Sequence, residues 1–191
     1  MNIDAVVFDL YGVLGLNGWQ TFKARHFADR PEGWEHLRRL GQRADAGLTS
    51  QAEFVRALAL ATEESEATVR RQFESTRANV PLLHFIAREL KPRYKIGLLS
   101  NTSHDVYASI FTADEFALFD VAVGSFAVGL TKPDPKMFQL IAAQLGTVPE
   151  ACLMVDDKPQ HLDAAQKLGM KTVLYTTVGQ TITDIRAELA Q

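Results

Sequence analysis

The sequence predicts an α/β fold: a doubly wound, Rossmann-like parallel sheet with a small all-helical insert near its amino terminus. Five short apolar runs lack polar alternation, as strands do when both of their faces are covered. Helix-like stretches separate them, which is the rhythm of strand–helix–strand units. Residues 16–80 break that rhythm, showing helical periodicity and no convincing strand.

The first run is Ala5-Val6-Val7-Phe8, ending at Asp9-Leu10-Tyr11-Gly12, where glycine permits a sharp departure of the chain. Lys95–Leu99, Val121–Val123, Cys152–Val155 and Lys171–Tyr175 supply the remaining strands. Helices are expected at Leu82–Leu90, Asp105–Phe111, Pro135–Leu145 and His161–Leu168. Within the insert, Trp34, Leu37, Leu40, Phe54 and Leu58 recur at three- and four-residue spacing, as on amphipathic helices. Thr49-Ser50-Gln51-Ala52-Glu53 holds a capping box, with Ser50 or Thr49 as the cap, Gln51 or Glu53 reaching back and Gly47 marking the turn before it. The expected division is a core of residues 1–15 and 81–191 and a helical cap of residues 16–80.

Composition supports one compact domain. Of 191 residues, 47% are apolar and 23% charged, which excludes a disordered chain. A net charge of −3 offers no sequence-wide attraction for nucleic acid or an anionic membrane. Cys152 is the single cysteine, so no internal disulfide is possible, and its apolar surroundings read as core. The chain shows neither a signal-peptide pattern nor a membrane-length apolar stretch, and a cytoplasmic location is expected.

Ligands of open parallel sheets bind beyond the carboxyl ends of the strands. At those ends stand Asp9, Ser100-Asn101-Thr102 and Asp156-Asp157, with Thr131-Lys132-Pro133 leading into a helix. Singly, each residue suits a turn, a helix cap or a solvated loop. Together, three clustered carboxylates repel one another unless a cation neutralises them. A divalent ion with oxygen ligands, typically magnesium (Mg²⁺), does so and also attracts phosphate.

Asp9-Leu10-Tyr11-Gly12-Val13-Leu14, Leu99-Ser100-Asn101, Lys132-Pro133 and Asp156-Asp157 resemble, in order and spacing, the four motifs of the haloacid dehalogenase superfamily. The resemblance runs from about Ile3 to Tyr175, and the helical insert looks like that family's small cap. Gly47–Phe54 and Leu99–Thr102 further resemble the branch of sugar-phosphate phosphatases and the phosphatase domain of soluble epoxide hydrolase. It implies a magnesium-dependent phosphatase of small phosphorylated metabolites. Asp9 would be the nucleophile that forms an aspartyl phosphate, and Asp9, Asp156 and the Tyr11 carbonyl would bind the metal. Ser100 and the Asn101 amide would hold phosphoryl oxygens, Lys132 would balance charge, and Asp157 would orient Lys132 or a water on the metal.

Tyr11 departs from the phosphatase pattern, which places a general-acid aspartate two residues after the nucleophile. Tyrosine there is typical of metal-free 2-haloacid dehalogenases, whereas Asp156-Asp157 is the acidic pair those enzymes generally replace. The alternatives are therefore a dehalogenase-like hydrolase or a catalytically weak binding protein. A tyrosine is a poor proton donor near neutral pH, so a preference for good leaving groups is expected. Trp19 and Trp34 are expected to pack the cap, with facing the substrate as the alternative, and Arg25, Arg38, Arg39 and Arg43 to form a solvated helix face from which one could reach a substrate anion. The five histidines show no metal-ligand spacing and are expected at the surface or in caps.

Overall fold

The computed structural model describes residues 2–16, 19–45 and 48–190. Strand β1 (Ala5–Phe8) leads through β2 (Gly15–Leu16) into helices α1 (Trp19–Phe27), α2 (Pro31–Asp45), α3 (Gln51–Thr62) and α4 (Glu66–Glu74), and the chain returns through β3 (Arg77–Ala78). Helix α5 (Val80–Phe85) runs on as a π-helical segment, Ile86–Leu90, before β4 (Lys95–Ser100). Then follow α6 (Tyr107–Ile110), α7 (Ala113–Phe116), β5 (Val121–Gly124), α8 (Ser125–Val128) and α9 (Pro135–Gln144). A 3₁₀ turn, Pro149–Ala151, precedes β6 (Cys152–Asp156), α10 (Pro159–Gln166), β7 (Lys171–Leu174) and α11 (Val178–Leu189).

The five long strands form one parallel sheet of order β5-β4-β1-β6-β7. All five are the runs anticipated from sequence. β1 shows why no polar alternation was seen: Val6 and Phe8 pack into one core, against Leu82 and Ile86, while Ala5 and Val7 pack into another, against Phe138 and Ile141. A strand apolar on both faces belongs in the middle of a covered sheet. Because β1 pairs with β4 on one side and β6 on the other, the strand order reverses at its carboxyl end. That end is the sheet's topological switch point.

The insert has its own apolar cluster, including Phe22, Leu37, Phe54, Leu58 and Val69. α2 and α3 come close because Gly41 has no side chain; a Cβ there would lie 2.9 Å from the Phe54 ring. The Trp34 ring packs against Phe27 at 5.6 Å between centroids, as expected for cap packing. The capping box is formed by Ser50 and Glu53, with Thr49 also donating to the Glu53 carboxylate at 2.7 Å. Gly47 and the side chain of Trp19 lie outside the described residues.

One expectation needs correction. Residues 16–80 do contain strand: β2 and β3 form an antiparallel ribbon in which Gly15 faces Ala78 and Leu16 faces Arg77. Two-residue strands are too short to show a period. Buried Asn79 secures the ribbon's base: its amide nitrogen Nδ2 donates to the Val13 carbonyl at 2.8 Å, and its backbone N–H to the Leu14 carbonyl at 2.8 Å. Helix α11 lies beyond the helices expected above, its Ile182, Ile185 and Leu189 repeating at helical spacing and packing against the core.

Candidate active site

Register alone brings two of the acids together. Phe8 pairs with Val155, so Asp9 and Asp156 leave β1 and β6 side by side. The Asp9 N–H donates to the Val155 carbonyl at 2.9 Å, extending the pairing by one residue. Ser100 closes β4 on the other side of β1.

Lys132 enters from the loop before α9, held by Asn101. The Asn101 side chain accepts from the Lys132 N–H at 2.8 Å and donates to the Lys132 carbonyl at 2.9 Å. Held in this way, the lysine Nζ bonds Asp9 Oδ1 at 2.5 Å and Asp156 Oδ2 at 2.7 Å. Burial opposes the Lys132 charge, but Asp156 and Asp9 outweigh it and hold the ammonium above its ordinary range. Asp156 is further bonded by the Lys158 N–H at 2.9 Å and by His161 Nδ1 at 2.9 Å. Burial opposes its ionisation too, yet Lys132 and His161 keep the carboxyl well below the usual range.

Asp9 and Asp157 behave differently. Burial raises Asp9 despite the lysine. Asp157 is pushed up to about 6, first by burial and then by the charge of Asp9. Asp9 Oδ2, Asp157 Oδ1 and Ser100 Oγ are buried without a hydrogen-bond partner. Among the described residues, Asp9, Asp156 and Asp157 each offer a ligand atom within 4.8 Å of the others. Two orphaned carboxylate oxygens in such a cluster are what a hard cation would satisfy. Gly12 makes room: at φ 93° its missing Cβ would fall 2.5 Å from Asp157 Oδ2.

Above this cluster lies a cavity of about 370 Å³, walled by the strand ends and by the insert. Tyr11, Trp34, Arg38, Asp45 and Phe54 line it. The Tyr11 hydroxyl is raised above the ordinary tyrosine range by burial, a hydrogen bond with Thr102 acting the other way. Arg38, one of the arginines expected on a solvated face from which a substrate anion could be reached, lines the cavity while its Nε bonds Glu35 at 2.8 Å. The histidine expectation fails at one position, since His161 is buried against Asp156. Its placement one helical turn past the acidic pair was the available signal. Lys158 and Asp45 were likewise not singled out.

An acidic cluster with a buried lysine, set at the switch point of a doubly wound sheet under a helical insert, defines a class of α/β enzyme. Residues 3–169 match the haloacid dehalogenase-like hydrolase family, and the chain belongs to it. It is 32% identical to Phosphatase MT3486 of Mycobacterium tuberculosis, over 95% of this chain and 91% of that one. Its fold is similar to that of the enzyme bt-2542 from Bacteroides thetaiotaomicron, solved with magnesium and inorganic phosphate (TM-score 0.65, 22% identity, 92% of this chain and 95% of that one). It is similar also to the L-2-haloacid dehalogenase RSc1362 (TM-score 0.72, 22% identity, 100% of both chains). No helix among the described residues is long and apolar enough to cross a membrane.

Proposed function

We propose that this hydrolase is a magnesium-dependent phosphatase of small phosphorylated metabolites, working through an aspartyl phosphate on Asp9, with residues 16–80 as a cap over a core of 1–15 and 81–191. The observation that carries the reading is the convergence of Asp9, Asp156 and Asp157 beside buried Lys132. A metal-free displacement has no use for three clustered acids. The relative named a phosphatase and the neighbour holding magnesium and phosphate support the same choice.

The donor set is all hard oxygen, which fits magnesium, and Asp9, Asp156 and the Tyr11 carbonyl would hold it. When bound, the ion supplies positive charge that draws in and neutralises the phosphoryl group. The chain's own residues do the rest. Lys132 Nζ bonds Asp9 Oδ1 and leaves Oδ2 without a protein partner, free to face phosphorus. Ser100 Oγ, also unpartnered, and the Asn101 backbone amide would receive phosphoryl oxygens. The Asn101 side chain positions Lys132 instead. Lys132 Nζ bonds Asp9 and Asp156, so of the two roles expected of Asp157 the one kept is to orient a water on the metal.

Turnover of a generic phosphate ester with and without Mg²⁺ tests this, paired with Asp9→Asn. Expected are strict metal dependence and a folded, inactive variant. Substantial turnover by Asp9→Asn removes the nucleophile, and phosphate affinity without turnover leaves a binding protein. Tyr11, together with the likeness to RSc1362, favours a second reading as a dehalogenase. Halide release from 2-chloropropionate without added metal would establish it.

A further inference from the structure

Transfer to Asp9 needs a proton donor for the departing oxygen. Tyr11 occupies the position where a carboxylic acid would serve, and burial makes its hydroxyl hold the proton more tightly still. The insert brings another carboxyl to the same cavity. Asp45 ends α2 and lines the cavity together with Asp9, Tyr11 and Asp157.

Two anchors fix that position. Ala44, its neighbour, is buried in the insert's apolar cluster and sets the roll of the helix end. The Asp45 carbonyl accepts from the buried Ser125 hydroxyl at 2.8 Å, and Ser125 Oγ accepts from the Thr102 N–H at 2.9 Å. Thr102 shares the cavity wall with Tyr11. A single hydroxyl thereby joins the end of α2 to the loop that follows β4.

From this placement we propose that Asp45 is the general acid and base of the reaction, taking from the insert the role that Tyr11 cannot fill. The inference rests on the phosphatase reading. Burial, and after it the charge of Asp9, push the Asp45 carboxyl up to about 7, while Lys158 draws it down. Asp45 acts on Tyr11 in return. Asp157 and His161 past β6, His104 past β4, Lys23 on α1 and Arg38 on α2 share the cavity wall. A carboxyl that titrates near neutrality can both give and take a proton.

In the first step an Asp9 oxygen bonds to phosphorus and the bond from phosphorus to the leaving oxygen breaks. That oxygen takes its electron pair and the Asp45 proton, departing as an alcohol. In the second step ionised Asp45 takes a proton from the water that attacks the aspartyl phosphate. The bond between phosphorus and Asp9 breaks, phosphate leaves, and both carboxyls return to their starting states.

The test is kcat/KM against leaving-group pKa for wild type, Asp45→Asn and Asp45→Glu, each with Mg²⁺. Wild type should give a shallow slope, contrary to the expectation from Tyr11 alone. Asp45→Asn should lose on the order of a hundredfold on alkyl phosphates and less than about tenfold on 4-nitrophenyl phosphate, as loss of a general acid does. It should also accumulate phosphorylated Asp9, read by intact mass, and Asp45→Glu should recover part of the loss. Parallel slopes in wild type and a folded Asp45→Asn overturn the assignment. If Asp45→Asn does not fold, a steep wild-type slope overturns it and a shallow one, with an alkaline limb near pH 7 on alkyl phosphates, supports it. Turnover by Asp9→Asn would instead remove the phosphatase reading itself.

Discussion

The edge of the sheet and the end of α2 each bring a carboxylate to one cavity, with opposite outcomes. Asp156, on the sheet, is fully buried yet stays ionised, because Lys132, His161 and the Lys158 N–H bond its oxygens. Asp45, on the helix, is less buried, but Lys158 offsets its burial only in part and the carboxyl is pushed up to about 7. Burial raises both groups; the Lys132 ammonium and the hydrogen bonds to the carboxylate oxygens decide the result at Asp156. A strand end embedded in a parallel sheet has neighbours on both sides to supply such partners. A helix end reaching over from an insert has few, which leaves its acid free to exchange protons.

The largest effect should come from removing that compensation. Lys132→Ala leaves two buried acids facing each other, so activity should fall on the order of a hundredfold. Without metal, stability should also fall by about 3 kcal/mol, the usual cost of stranding a buried charge. Thermal melts in chelator and in Mg²⁺ check this, with the ion restoring part of the loss. An unchanged melting temperature in chelator would mean that the two acids share a proton instead.

Next in size is Asp156→Ala, which should raise the Mg²⁺ concentration needed for half-maximal activity at least about tenfold, as loss of a metal-site group does. Unchanged metal dependence would move the ion elsewhere. Gly12→Ala should do similar harm, because the new Cβ collides with Asp157 on a backbone at φ 93°.

A pH series sharpens the contrast at Asp45. Its native carboxyl, raised to about 7, keeps a proton that the unfolded chain releases near 3.8. The native state therefore binds more protons between those values, and its stability falls as pH rises from about 4 to about 7. Asp45→Asn should flatten that fall, measured by denaturant titration at successive pH values; identical profiles would deny the raised titration. Smallest is Ser50→Ala, which removes the α3 cap and should cost about 1 kcal/mol while leaving chemistry at the sheet edge intact.

The residues at strand ends were legible because each follows directly on a local apolar run. Asp9 ends Ala5–Phe8, and Asp156-Asp157 ends Cys152–Val155, so period and position are read in one glance along the chain. What the sequence does not show is tertiary. Asp45 reaches the cavity through Ser125, which lies far along the chain on the other side of β5. His161 contacts Asp156 only because α10 starts where it does. The β2–β3 ribbon is fixed by pairing partners separated by the whole insert, and no window of local pattern contains both.

The Ser125 hydroxyl has one proton and two carbonyls within reach, Asp45 at 2.8 Å and Thr102 at 2.9 Å. Were the end of α2 to part from it, that proton would still have the Thr102 carbonyl to meet, and the Asp45 carbonyl would meet water. No buried donor is stranded, so parting escapes the roughly 1–3 kcal/mol toll of an unpaired polar group. The hydroxyl thus has an acceptor with or without the end of α2 against it. Ser125→Ala keeps neither contact and should leave the Thr102 N–H without its partner even with the end of α2 in place, which amide hydrogen exchange at Thr102 would register as faster exchange.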